Sequence, residues 1–117
     1  MENKEILKIA ANALQDKKAK NIEIIKVGDL TVIADYFLLA SGTSSTQVKA
    51  LADEAEHRLS EKGLNPTRTE GYKGANWIVL DYVDVVIHIF HEQTREFYDL
   101  ERLWQDGEFL NAADFLM

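Results

Sequence analysis

An α/β layered domain, a β-sheet flanked by helices, is what three features of this sequence predict. Apolar residues at helical spacing open the chain, an aliphatic run suited to a strand buried on both faces follows, and a second helical stretch separates that run from further strands. With 117 residues, 46% of them hydrophobic, and six glycines against one proline, the chain can build one compact core and not two.

Ile6, Leu7, Ile9, Ala10, Ala13 and Leu14 recur at helical spacing between lysines and acids, so residues 3–19 read as an amphipathic helix that covers one face of something. NIEIIKV (21–27) reads as a strand and DYFLLAS (35–41) as a buried one, stopped by Gly42. The second helix runs from about Ser45 to Lys62, with Val48, Leu51, Ala52, Ala55 and Leu59 on one stripe and Gly63 placed to end it. A strand over Thr67–Tyr72 after this helix makes a crossover unit. A last helix, about Glu92 to Trp104, puts Phe97, Leu100 and Trp104 on one stripe with Tyr98 beside it. Residues 1–105 therefore form the domain. The tail, 106–117, is too short for a domain of its own and docks on the body, docks on a partner, or frays.

Residues 76–91, NWIVLDYVDVVIHIFH, read as two strands joined by a tight turn at Tyr82-Val83. A two-residue loop there pairs Asp81 with Asp84, Val79 with Val86 and Trp77 with His88. One face is then aliphatic: Ile78, Leu80, Val85, Ile87 and Ile89. The other mixes Trp77, Val79, Asp81, Asp84, Val86, His88 and Phe90. A mixed face of this kind is either a binding surface or a second core under a helix.

The charge is uneven. Residues 71–117 hold nine acids and three bases, so −6 of the net −7 lies there. An acidic half repels phosphate backbones and attracts a basic protein surface, which argues against nucleic acid as the direct partner. The lack of cysteine removes disulfides, thiolate catalysis and thiolate zinc sites, no apolar run suits a membrane span, and the opening residues lack a signal-peptide core. These features lead to the expectation of a cytoplasmic protein.

The residues offer little catalytic chemistry. Ser41-Gly42-Thr43-Ser44-Ser45 lies at a strand end before a helix, where backbone N–H groups could cradle phosphate, but it lacks the lysine of a P-loop, and Ser44 with Gln47 makes a capping box. Asp81, Asp84 and His88 could suggest a metal, yet Asp81 and His88 stand roughly 13 Å apart along the expected ladder. No cofactor and no metal are expected. Facing carboxylates at 81 and 84 repel each other unless a cation relieves them, which favours docking of a partner lysine or arginine. Arg95 and Tyr98, three apart on the last helix, either contact that partner or cap the sheet.

Four blocks in order, DYFLLASGTSS (35–45), EGY (70–72), WIVLDYVDVVIHIF (77–90) and R-x-x-Y-x-L-E-x-L-W (95–104), resemble the ribosomal silencing factor (Iojap-related) family over about residues 4–105. The resemblance implies an α/β fold with a mixed β-sheet flanked by helices, nucleotidyltransferase-like but without catalytic acids. Where that fold carries paired carboxylates, the strand PTRTEGY has only Glu70. It further implies a non-enzymatic factor that binds a basic protein of the large ribosomal subunit at the intersubunit face, blocks subunit association and represses translation when nutrients are short. A homodimer when free is implied too; a nucleotide-binding or nucleotidyltransferase-type enzyme is the alternative.

The expected partner-binding residues are Trp77, Val79, Asp81 and Tyr82 on one side of the turn. Beyond it they are Asp84, His88, Arg95 and Tyr98. The family usually has glycine between the two aspartates where this chain has Val83. A β-branched residue is disfavoured at positive φ, so either the turn is of another type or the register moves by one, which would exchange the two faces.

Overall fold

A computed structural model describes all residues, 1–117. The elements are α1 (Asn3–Asp16), β1 (Lys20–Lys26), β2 (Tyr36–Gly42), α2 (Ser45–Glu61), β3 (Arg68–Glu70), β4 (Trp77–Asp81), β5 (Val85–His91), α3 (Glu92–Tyr98), α4 (Leu100–Leu103) and β6 (Glu108–Leu110). Six strands form one mixed sheet in the order β3-β4-β5-β2-β1-β6, with β2 and β5 parallel and every other neighbour antiparallel. The aliphatic run becomes β2, central and buried as expected. From it α2 crosses to the edge strand β3, which runs in the same direction as β2, and the β4–β5 hairpin fills the gap between them.

One sheet face carries Ile24, Leu38, Ala40, Ile78, Leu80, Ile87 and Ile89, and packs on Leu7, Ala10 and Leu14 of α1 and Val48, Leu51 and Ala55 of α2. That is the aliphatic face the hairpin pattern marks out. Burying a leucine- or isoleucine-sized side chain contributes about 2 kcal/mol, so this cluster dominates the stability. The opposite face holds Ile25, Phe37, Leu39 and Phe90 under Leu100 and Trp104, and is covered only in part.

The helix α2 begins and ends as its sequence signals predict. The Ser44 hydroxyl accepts the Gln47 N–H at 3.1 Å, while Gly63, at φ 83°, lets the Leu64 N–H reach back to the Leu59 carbonyl at 3.0 Å. The Gln47 side chain accepts the Thr43 N–H at 2.7 Å instead of completing the box on Ser44.

Three expectations change. The single last helix is broken: Asp99 is left-handed at φ 49°, and α3 and α4 meet there at an angle. Aspartate tolerates this conformation better than most residues. The break leaves Leu100 and Trp104 on the sheet and turns Phe97 out, 81% exposed. The tail residues join the body, with β6 pairing to β1 and a 3-10 turn, Ala112–Phe115, packing beside α1, where Asn12 Nδ2 donates to the Phe115 carbonyl at 3.0 Å.

The hairpin register is the third change. Asp81 lies opposite Val86, Val79 opposite His88 and Trp77 opposite Phe90, so the ladder slips by two residues in the pairing and Asp81 and Asp84 do not face each other. Tyr82, buried in the α2-side core, extends the strand, its N–H donating to the Val85 carbonyl at 2.9 Å. The reversal falls on Val83, at φ 72°, with the Asp84 N–H on the Tyr82 carbonyl at 3.0 Å, a γ-turn. A slip of two preserves side-chain parity, so each face keeps the residues assigned to it.

Candidate functional site

The half-covered face is built around Trp77. Its ring stacks on Phe90 of the neighbouring strand, centroids 4.9 Å apart at 27°, and lies 5.0 Å from Tyr98 of α3. Tyr98 in turn meets Phe97 edge-on at 5.1 Å. Tyr98 is 55% exposed, Phe97 is almost free, and Leu103 of α4 is 72% exposed. The four side chains form an apolar ridge from β4 across the broken helix, with Glu96, Asp99 and Arg102 among them. The backbone holds Trp77 in place at Gly71, which is at φ 78°; a Cβ there would collide with the Trp77 carbonyl oxygen. The glycine of the EGY block thus serves the tryptophan six residues on.

His88 stands behind the ridge. Its Nδ1 accepts the indole N–H of Trp77 at 3.0 Å, it is 8% exposed, and burial, opposed weakly by the charge of Asp81, pushes its pKa down to about 4. The imidazole is therefore neutral at physiological pH and fixes the indole from beneath. Arg95, also 8% exposed, turns inward: its guanidinium donates to the Asn21 carbonyl at 2.6 Å, the Ser41 hydroxyl at 2.9 Å and Glu101 at 3.1 Å. Asn21, left-handed at φ 51°, sits in a bulge of β1 that aims its carbonyl at this arginine.

The residues expected to bind a partner therefore separate into two layers. Trp77, Val79, Asp81, Asp84 and Tyr98 reach the surface, whereas Tyr82, His88 and Arg95 are buried and bear on it only through their neighbours. Arg95 and Tyr98, expected on one side of the last helix, point opposite ways. Asp81 finds its cation within the chain: it lies 3.4 Å from Arg68 and caps the turn by accepting the Val83 N–H at 2.8 Å. In the observed register Asp81 and Asp84 do not face each other, so no external cation is needed to relieve them. The helical pattern puts Phe97 on the buried stripe and gives Leu103 no part, so neither is expected at the surface site; Asp99 between them is the only local sign of the break.

For phosphate or metal chemistry the placements are unpromising. The N–H and hydroxyl of Thr43 are both engaged by Gln47, and Glu70 of β3 lies 3.8 Å from Arg68 on the sheet edge. No three of the acidic and imidazole side chains converge on a point that could hold an ion, and no helix is long and apolar enough to cross a membrane.

Residues 1–115 match the family model described as ribosomal silencing factor during starvation. The chain belongs to the ribosomal silencing factor family. It is 42% identical to a ribosomal silencing factor of Bacillus subtilis over 117 residues, covering 100% of this chain and 98% of that one, and 42% identical to one from Halalkalibacterium halodurans over 107 residues, 92% of each. The fold is shared with a crystal structure of a Chromobacterium violaceum protein, at TM-score 0.87 and 38% identity over 90% of this chain and 88% of that one. Two of the sequence blocks quoted above fall on distinct parts of this site: EGY supplies the glycine under Trp77, and R-x-x-Y-x-L-E-x-L-W supplies both Arg95 inside and Tyr98 outside.

Proposed function

We propose that this protein is a cytoplasmic binding factor, not an enzyme, that docks on a basic protein of the large ribosomal subunit at the intersubunit face. Standing there, a body of 34 × 34 × 27 Å excludes the small subunit by volume alone, and translation falls when nutrients are short. Family membership supports the ribosome as target, and the observation that carries the docking mode is the ridge of Trp77, Tyr98, Phe97 and Leu103 in the acidic half of the chain.

Aromatic side chains supply large rigid contact area at little entropic cost, and they dominate interface energies when a polar rim excludes water around them. Here the rim of Glu96, Asp99 and Arg102 is net acidic. It would steer a basic partner to the ridge and repel rRNA phosphate, so association should be fast at low salt and slow at high salt. Trp77, Val79, Asp81, Asp84 and Tyr98, joined by Phe97 and Leu103 of the ridge, form the contact set, with His88 and Arg95 as the support that keeps the indole and α3 in place. In the free protein a second copy covers the ridge, which makes the idle form a homodimer.

Subunit joining tests the proposal. Light scattering of mixed small and large subunits should lose its association signal as the protein approaches one copy per large subunit. Undiminished joining with the protein bound would overturn steric blocking.

A further inference from the structure

A second exposed surface lies at the far end of the hairpin from Trp77, roughly 13 Å away along β4. The β1–β2 loop, residues 27–35, meets the β4–β5 turn there: the Asp84 carbonyl accepts the N–H groups of Asp35 at 2.8 Å and Tyr36 at 3.0 Å. Leu30, Val32, Ile33 and Val83 all expose their side chains, Val32 completely. The loop is not slack. Leu30 and Thr31 N–H both donate to the Val27 carbonyl, at 2.9 and 3.1 Å, Val27 and Gly28 N–H to the Asp35 carbonyl at 2.8 and 3.1 Å, and Ile33 N–H to the Thr31 hydroxyl at 3.2 Å. Four aliphatic side chains are thus held outward on a fixed backbone, one of them on a left-handed residue that disfavours valine.

Charge says what covers them. Residues 27–36 and 81–86 contain Asp29, Asp35, Asp81 and Asp84 and no base. Of these only Asp81 has a cation within ion-pair distance, Arg68 at 3.4 Å. A second copy laid on this tip about a two-fold axis would bring carboxylates against their own equivalents, and a nucleic acid would bring phosphates. We propose that the tip docks a basic amphipathic protein segment, whose aliphatic side chains pack among Leu30, Val32, Ile33 and Val83 while its lysines or arginines meet the carboxylates. Because the loop is already tied down, docking orders little on this side. The proposal needs neither the ribosome reading nor the Trp77 ridge, although Asp81 and Asp84 are common to the two contact sets.

The test uses the full chain, isotopically labelled, titrated at low salt with a synthetic helical peptide of leucines at i, i+3, i+4 spacing and lysines elsewhere. Amide shifts are expected at residues 29–35 and 82–84, with affinity at least tenfold lower for Val32→Asp, within twofold of wild type for Trp77→Ala, and absent when glutamate replaces the peptide lysines. Ile33→Ser, which adds no charge, serves as the second variant and should weaken binding at least threefold. Shifts confined to the Trp77–Tyr98 ridge, equal binding of the glutamate peptide, unchanged affinity in both tip variants, or self-association without any peptide effect would each overturn it.

Discussion

The indole N–H of Trp77 donates to Nδ1 of His88 over 3.0 Å, tying the most prominent aromatic of the exposed ridge to a buried imidazole. Nδ1 is thereby the acceptor, so the neutral ring carries its proton on Nε2, which is buried without a hydrogen-bond partner. Protonating Nδ1 would break the link to Trp77 and place a charge under the sheet.

A pH dependence follows. The unfolded chain takes up a proton on this histidine near pH 6.5, whereas the folded protein resists until about pH 4, so the unfolded state binds more protons between those values. Stability contributed by neutral His88 is full above about pH 6.5 and is lost as pH falls toward about 4, by about 3 kcal/mol in all. Denaturant melts of wild type and His88→Phe across this range should diverge accordingly, with the variant flatter. Parallel profiles would mean that His88 binds its proton alike in the folded and the unfolded chain.

Tyr98 separates docking from folding better than Trp77 does. Trp77 is half buried against Phe90, so Trp77→Ala should cost about 2 kcal/mol of stability as well as binding. Tyr98→Ala, on an exposed ring, should cost no more than about 0.5 kcal/mol in folding yet weaken large-subunit binding at least about tenfold, or 1.4 kcal/mol. Thermal melts and a binding titration on the same preparation give both numbers.

Val83 occupies a backbone conformation at φ 72° that glycine adopts freely. Relief of a strain of roughly 2 kcal/mol, less the roughly 1 kcal/mol of extra chain entropy that glycine loses on folding, leaves Val83→Gly more stable by about 1 kcal/mol. A rise of about 4 °C in melting temperature is expected.

Arg95 holds the β1 bulge, the end of β2 and α4 together through Asn21, Ser41 and Glu101. Arg95→Met should therefore destabilise by about 3 kcal/mol, since it leaves the Asn21 carbonyl and a partly buried carboxylate without their donor. Arg95→Lys should recover only part of this, because one ammonium cannot span three acceptors arranged for a fork. Chemical denaturation midpoints decide between these values and the small effect that a surface arginine would give.

What the sequence made legible was periodicity. The 3.6-residue stripes of α1 and α2, the aliphatic run of β2 and the alternation of β4 and β5 each reflect burial repeated over many residues, and each falls where the pattern puts it. Single-residue decisions were not legible. Asp99 breaks a helix whose stripe runs on through it, and Tyr82 moves the hairpin register by joining the core; both outcomes depend on packing that lies far along the chain. The same limit applies to the site. Trp77 and Tyr98 were marked out by their residue type and face, but that His88 and Arg95 support the surface from within follows from depth, which alternation alone does not report.

In the proposed function an acidic, aromatic surface docks selectively on the large ribosomal subunit. Co-sedimentation with isolated large and small subunits over a salt series measures it directly. The protein should pellet with the large subunit alone, and the bound fraction should fall steadily as salt rises, as screening of its acidic rim requires. Equal pelleting with both subunits, or none with either at low salt, would contradict it.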